Sequence, residues 1–246
     1  MEIGAGVGVA GRALRERVSA MQRVRRLARI AVAITVGGLV LTGCRAQPGV
    51  AAYVGDDQIT EQQVTQIVDD VKEKFGDGER AVVPPRGAIV TTLVLGDVCA
   101  RLAAEKGYQP RSQVSAEQVA QAVGLPADAT YARKAAELYS CLSGVGGEPV
   151  APTAEELADV VNRGKAAGVI PPEKSVADVA AQLDGEQLRA ALATRRALAE
   201  AVSRYDVTVN PRYRPLEYQL LGFQGNAAAV SVPLGEGASG AVTDRG

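Results

Sequence analysis

The most informative absence in this chain of 246 residues is histidine, which does not occur at all. Serine and cysteine nucleophiles are usually activated by a neighbouring imidazole, and imidazole is among the usual ligands of zinc. The absence therefore excludes Ser-His-Asp and Cys-His catalysis and the common zinc sites. We expect no enzyme, no catalytic residue, no metal ion and no cofactor.

A Ser-Lys or carboxylate-pair enzyme remains possible without histidine, but nothing in the sequence points to one. The three acidic pairs fall in a turn, on a helix flank and in a first helical turn: Asp56-Asp57, Asp69-Asp70 and Glu155-Glu156. Carboxylates at such positions serve solvation or the helix dipole. We therefore assign them no catalytic role.

The first 43 residues differ in composition from the rest. Seven arginines precede the first long apolar run, and they are Arg12, Arg15, Arg17, Arg23, Arg25, Arg26 and Arg29. The run itself, Ile30 to Thr42, carries no charge. Basic residues followed by a short apolar stretch are typical of an export signal. As a helix the run would span about 20 Å, short of the roughly 30 Å hydrocarbon core, so a permanent membrane span is the weaker interpretation.

The end of the apolar run, Leu41-Thr42-Gly43-Cys44, resembles the bacterial lipobox. The resemblance implies cleavage between Gly43 and Cys44, a diacylglycerol on the Cys44 sulfur, and often a fatty acyl chain such as palmitate on the new amino group. We expect a signal peptide over 1–43 and a protein anchored by lipid on the extracytoplasmic face of the cell membrane. An ordinary secretory signal with an accidental cysteine is the alternative. Met21 to Cys44 is already a complete signal, so either Met1 or Met21 could be the start.

The mature chain is acidic. Residues 1–43 hold seven arginines and two glutamates, so the remainder has 20 basic and 26 acidic groups and a net charge of −6. An acidic surface argues against nucleic acid and against anionic lipid headgroups as partners. The lipid anchor, rather than a basic patch, is expected to hold the protein at the membrane.

Periodicity predicts a mostly helical mature chain. Residues 44–50 form a tether, a strand covers 51–55 and a second strand covers 205–209. Four polar pairs three residues apart predict helix starts by the capping-box pattern, namely Thr60–Gln63, Ser115–Gln118, Thr153–Glu156 and Ser175–Asp178. The last pair opens the longest predicted helix, which Gly185 could interrupt. Residues 216–246 are rich in Gly and Ala and are expected to be a disordered tail.

Two cysteines remain beyond Cys44. Cys99 and Cys141 both fall on predicted helices, and in an oxidising compartment a disulfide between them is plausible. Two separate buried thiols are the alternative. The pair is not a CxxC motif, so redox catalysis is not expected.

Three short segments carry a family resemblance. They are the strand, turn and helix start Ala52-Tyr53-Val54-Gly55-Asp56-Asp57-Gln58-Ile59-Thr60, the helix start Thr153-Ala154-Glu155-Glu156-Leu157, and the closing strand Val207-Thr208-Val209-Asn210-Pro211-Arg212-Tyr213. They resemble the corresponding segments of extracytoplasmic chaperones of the SurA and PrsA type. The resemblance implies a mainly α-helical domain over 51–215 that is closed by a small sheet, in which an N-terminal and a C-terminal strand meet. Nothing resembles the parvulin prolyl isomerase module that many members carry, and parvulin sites use histidines.

The function implied by this resemblance is chaperone-like binding of unfolded or extended polypeptides, without catalysis, in an apolar groove between helices. Two alternatives stay open. One is an anchored scaffold or assembly partner that binds no client, and the other is a lipoprotein that binds a small apolar ligand. The sequence names no client-contact residue.

Overall fold

A computed structural model of the protein describes residues 47–75, 82–225 and 227–235. This part of the chain is mainly helical with a small antiparallel sheet, as the sequence predicts. Its seven α-helices are α1 (Glu61–Phe75), α2 (Arg86–Lys106), α3 (Ala116–Val123), α4 (Thr130–Leu142), α5 (Ala154–Ala166), α6 (Val176–Leu183) and α7 (Glu186–Arg204). The predicted signal peptide, the lipidation site and residues 236–246 lie outside the described residues.

Helix starts are the feature that the sequence predicts best. At each of the four predicted capping boxes the side chain of the first residue accepts a backbone N–H, and the side chain of the second accepts one in return. In α5, for example, the Glu156 N–H donates to Thr153 Oγ1 over 3.1 Å and the Thr153 N–H donates to Glu156 Oε2 over 2.8 Å. These bonds satisfy backbone donors that the helix itself leaves free.

The small sheet joins the two ends of the helical domain. Strand β1 (Val50–Val54) pairs antiparallel with β2 (Asp57–Thr60) on one side and with β3 (Val207–Val209) on the other. Ala52 lies opposite Val209, which confirms that the predicted strands 51–55 and 205–209 are neighbours in one small sheet. The sequence predicted only a turn before Thr60, so β2 was missed. Its exposed Asp57 and Gln58 carry little of the apolar alternation that marks a strand.

Helix α2 crosses the centre of the domain. Its buried side chains include Ile89, Val94, Leu95 and Val98, which pack with α1, α4, α7 and the small sheet in one apolar core. Of the described helices, α2 is also the one long and apolar enough to cross a membrane. Helices at the centre of a globular core have the same length and composition, so this property alone is weak support for a membrane span.

The region from Ser175 to Arg204 is two helices rather than the single longest one. Gly185 adopts an extended backbone, with φ −106° and ψ 169°, and separates α6 from α7. The Arg189 guanidinium donates to both carboxylate oxygens of Asp184 across this break, over 2.7 and 2.9 Å. The longest described helix is therefore α2, with 21 residues.

The prediction of a disordered tail over 216–246 was wrong for the residues that the structure describes. Strands β4 (Glu217–Gly222) and β5 (Ala228–Pro233) form an antiparallel hairpin. The hairpin is ordered because Val230, Val232 and Leu234 are almost fully buried against the helices. The folded domain consequently does not end at residue 215 but continues through at least Gly235.

Candidate functional site

Of the predicted site residues, the structure describes the two later cysteines. Cys99 on α2 and Cys141 on α4 are joined by a disulfide, with their Cα atoms 6.2 Å apart. Cys99 is fully buried in the main core, and Cys141 is partly buried beside it. The bond therefore fixes the last turn of α4 to the centre of the domain. Gly43 and Cys44 lie outside the described residues.

An open groove of about 590 Å³ lies between the end of α4, the first half of α7 and strand β4. None of its lining side chains carries a formal charge, and most are apolar or aromatic. The lining residues are Tyr139, Leu142 and Ser143 at the end of α4, Gln187, Ala190, Ala191 and Thr194 on α7, and Tyr218, Gln219, Leu220 and Leu221 on β4.

Strand β4 meets the groove along its edge. Successive side chains of a strand point to opposite faces, so a groove against one face is lined by alternate residues. Here four consecutive residues, from Tyr218 to Leu221, line it; the pairing with β5 is regular from Glu217 to Gln219 and shifts register between Gln219 and Leu221. In the described chain β4 pairs with β5 alone, so its other edge carries no strand.

The hydrogen-bond register shows which backbone groups face that open edge. The Leu234 N–H donates to the Leu216 carbonyl over 2.8 Å, and Glu217 lies opposite Pro233, which has no N–H. Positions that bond to the partner strand alternate with positions that do not. Gln219, two residues after Glu217, therefore directs its backbone N–H and C=O away from β5.

Tyr139 and Tyr218 add phenol hydroxyl groups to the mostly apolar lining of the groove. Burial raises the pKa of Tyr218 above its ordinary value, and the neighbouring Tyr139 adds to this shift. Burial also raises the pKa of Tyr139, whose side chain is half-buried at the groove. Both phenols are therefore neutral and can donate or accept hydrogen bonds at physiological pH. Such a wall suits a ligand with apolar side chains and uncharged polar groups.

The acidic pairs that the sequence offered have structural partners. Asp70 accepts the Thr130 N–H over 2.7 Å and pairs with Lys74 over 3.0 Å. Asp57 pairs with Arg101, and Glu156 pairs with Arg196. These contacts link α1 to α4, β2 to α2 and α5 to α7, and none of the three carboxylates lines the groove.

The described residues contain no cluster of three or more His, Cys, Asp or Glu side chains that could hold a metal ion. The groove likewise presents no pair of carboxylates and no cysteine thiol among its lining residues. The groove offers an uncharged surface beside an open strand edge, and such an arrangement can bind a ligand.

Sequence reasoning missed the β4 wall of this groove because the Gly- and Ala-rich tail was expected to lack structure. A signal was present, since Glu217 to Leu220 alternates polar and apolar residues and Val230 to Leu234 places an apolar residue at every second position. The Tyr139 side chain on α4 lines the groove with 38% of its surface exposed.

Comparisons of the chain with protein-family models, with curated protein sequences and with solved structures found no match.

Proposed function

We propose that the protein is a lipid-anchored extracytoplasmic lipoprotein that binds extended polypeptide segments in the groove beside β4, without catalysis. The observation that carries this proposal is the open β4 edge along an uncharged groove. An extended peptide can add to such an edge through main-chain hydrogen bonds, while pockets receive alternate side chains.

The chemistry of the groove supports polypeptide over a charged ligand. A peptide in extended conformation brings unpaired N–H and C=O groups, which Gln219 can match with its own outward-facing backbone groups. Its apolar side chains would contact Leu142, Leu220 and Leu221. The resemblance of 52–60 and 207–213 to SurA- and PrsA-type chaperones supports the same class of ligand.

The anchor is the second part of the proposal. It is supported by the basic region, the apolar run and the Leu41-Thr42-Gly43-Cys44 ending. A chaperone held at the outer face of the membrane would meet polypeptides as they emerge from export, before they fold.

A scaffold without clients is the second candidate. Outside the groove, the exposed large apolar side chains of the described residues are Val82, Val123 and Val169, and they lie in three separate parts of the chain: before α2, at the end of α3 and after α5. Isolated apolar residues are normal on a protein surface. A scaffold or assembly partner would thus explain most of this surface equally well, and a small apolar ligand could also enter the groove.

An aggregation assay tests the proposal. Light scattering of an unfolding client protein is followed with and without the signal-free chain in several-fold excess. We expect slower aggregation, and no acceleration in a parallel prolyl isomerisation assay. No protection of the client would defeat polypeptide binding and favour the scaffold. Clear acceleration of isomerisation would show that the protein is an enzyme after all.

A further inference from the structure

The tether that would carry the lipid joins the domain beside a group of exposed arginines. The Glu61 N–H at the start of α1 donates to the Gly49 carbonyl over 2.8 Å. The Asn210 side-chain amide donates to the Val50 carbonyl over 2.9 Å. The end of the tether is thus hydrogen-bonded to the start of α1 and to the residue that follows β3.

Arg86 and Arg212 converge on the carboxylate of Glu61 at this point. Arg86 donates to Glu61 Oε2 over 2.8 Å, and Arg212 Nη1 lies 3.3 Å from Glu61 Oε1. The two arginine side chains keep 41% and 57% of their surface exposed. Arg214 follows, also exposed, and donates its Nε–H to the Val209 carbonyl over 3.0 Å. We call Arg86, Arg212 and Glu61 the basic end. Of these three described side chains, two are positive and one is negative.

The opposite end of β1 carries the opposite sign. Six acidic and three basic residues of the described chain lie around the turn between β1 and β2 and around the end of α7. The acidic residues are Asp56, Asp57, Asp97, Glu105, Glu200 and Asp206, and the basic ones are Arg101, Lys106 and Arg204. The mature chain is acidic overall, but its charged side chains are unevenly distributed along β1, and the positive end lies at the tether.

We propose that the basic end rests on the headgroups of anionic phospholipids. This inference rests on the lipid anchor of the proposed function. Gly49 lies five positions after Cys44, and a chain of five such steps spans at most about 18 Å. The anchor therefore limits how far Gly49 and the adjacent basic end can lie from the bilayer, so that Arg86 and Arg212 can come within one Debye length of the headgroups. Guanidinium groups match phosphate oxygens in charge and in planar geometry, and the acidic end is held away from the membrane.

The size of the effect follows from the number of charges. Each arginine near an anionic bilayer strengthens membrane binding by about fivefold. Neutralising Arg86 and Arg212 together should therefore weaken binding to anionic vesicles by about 25-fold. Binding to neutral vesicles should not change.

The test uses the mature chain 44–246, in which Cys99 and Cys141 are bonded and Cys44 is the remaining thiol. A single C14 chain, attached to Cys44 through a maleimide, gives weak and reversible membrane binding on which headgroup effects can be measured. Co-sedimentation is measured with phosphatidylcholine vesicles and with vesicles that contain one-third phosphatidylglycerol. We expect the wild-type chain to prefer the anionic vesicles by tenfold or more.

Three variants assign that preference to the basic end. The quantity compared is the ratio of binding to anionic vesicles over binding to neutral vesicles. The double variant Arg86→Gln with Arg212→Gln should bring this ratio close to one, and Arg86→Lys with Arg212→Lys should retain most of it. Lys106→Gln with Arg204→Gln makes the same change in net charge at the acidic end and should leave the ratio unchanged. Equal binding to both vesicles, or an unchanged ratio in the Gln variant, would overturn the inference. Because the acyl chain is attached chemically, failure of lipidation in cells or of polypeptide binding would be seen in other assays and not in this ratio.

Discussion

Cys141 connects the wall of the groove to the fully buried Cys99 in the centre of the domain, with 6.2 Å between the two Cα atoms. Two groove residues, Tyr139 and Leu142, lie on the same last turn of α4 as Cys141. The disulfide therefore holds one wall of the groove against α2, the most buried helix.

The first prediction concerns this bond. The two cysteines are 42 residues apart, and closing a loop of that length stabilises the folded state by about 4 kcal/mol in the chain-entropy model. We expect Cys141→Ser to lower the free energy of unfolding by an amount of this order, measured by urea denaturation. The wild-type chain with a dithiol reductant should match the variant. A denaturation midpoint that does not move on reduction would contradict the prediction.

The second prediction concerns the contact between Gly146 and α7. Gly146 has φ +96°, and a Cβ atom there would lie 2.7 Å from the backbone nitrogen of Thr194, which lines the groove. Gly146→Ala should destabilise the protein by about 2 kcal/mol or more, because the loop and α7 must separate. Gly147→Ala is the matched control, with φ +65° and no atom within 4 Å of the new Cβ. Gly147→Ala should lower the free energy of unfolding by only about 1 kcal/mol, through backbone strain. Equal losses in thermal denaturation would show that the close approach to Thr194 is unimportant.

How far the sequence predicts this fold depends on the range of the interactions. Capping boxes such as Thr153–Glu156 join residues three positions apart, so their signal is complete within one segment. The meeting of Ala52 with Val209 was predicted through a resemblance, and the disulfide from a count of cysteines.

The hairpin and the groove were missed because their determinants are distant. Val230 and Val232 are buried by helices that lie far earlier in the chain, and the local Gly and Ala content hid their alternation. The groove forms only when β4 packs beside Tyr139 and Thr194. No local pattern in any one of these segments encodes that arrangement.

The third prediction concerns acid stability. The hydrogen bond from Arg196 lowers the pKa of Glu156 to about 2, against an ordinary value of 4.5, although burial opposes the shift. A lowered pKa stabilises the fold above about pH 4.5, and that contribution is lost as the pH falls towards 2. The Arg196 side chain is 41% exposed, so solvent screens its interaction with Glu156. We therefore expect Arg196→Gln to lower the free energy of unfolding by only about 1 kcal/mol at pH 7.

The difference between wild type and Arg196→Gln should therefore shrink as denaturation is repeated from pH 7 down to pH 2. Lys134→Gln, which breaks an exposed pair with Glu137, is the control and should change stability little at any pH. A constant difference for Arg196→Gln across this range would mean that Glu156 does not stabilise the fold through its charge.

The fourth prediction concerns the anchor. Thioether formation requires the sulfur of Cys44 as nucleophile, so Cys44→Ser should abolish incorporation of a fatty-acid analogue and release or stall the protein. Cys141→Ser is the control, because that cysteine is bonded within the domain and should leave labelling intact. Unchanged labelling of Cys44→Ser would remove the basis for a lipoprotein.

The central claim is that an extended polypeptide binds along the edge of β4, and one titration tests it most directly. A fluorescent peptide of alternating apolar and uncharged polar residues is titrated with the signal-free chain, and its anisotropy is recorded for wild type, Gln219→Pro and Gln219→Ala. The proline removes a backbone N–H that faces away from β5, so the hairpin should persist, while the alanine keeps that N–H. We predict binding by wild type and Gln219→Ala and a loss of at least tenfold in affinity for Gln219→Pro, with circular dichroism spectra unchanged. Equal affinity for the proline and alanine variants, or no binding by the wild-type chain, would contradict the account.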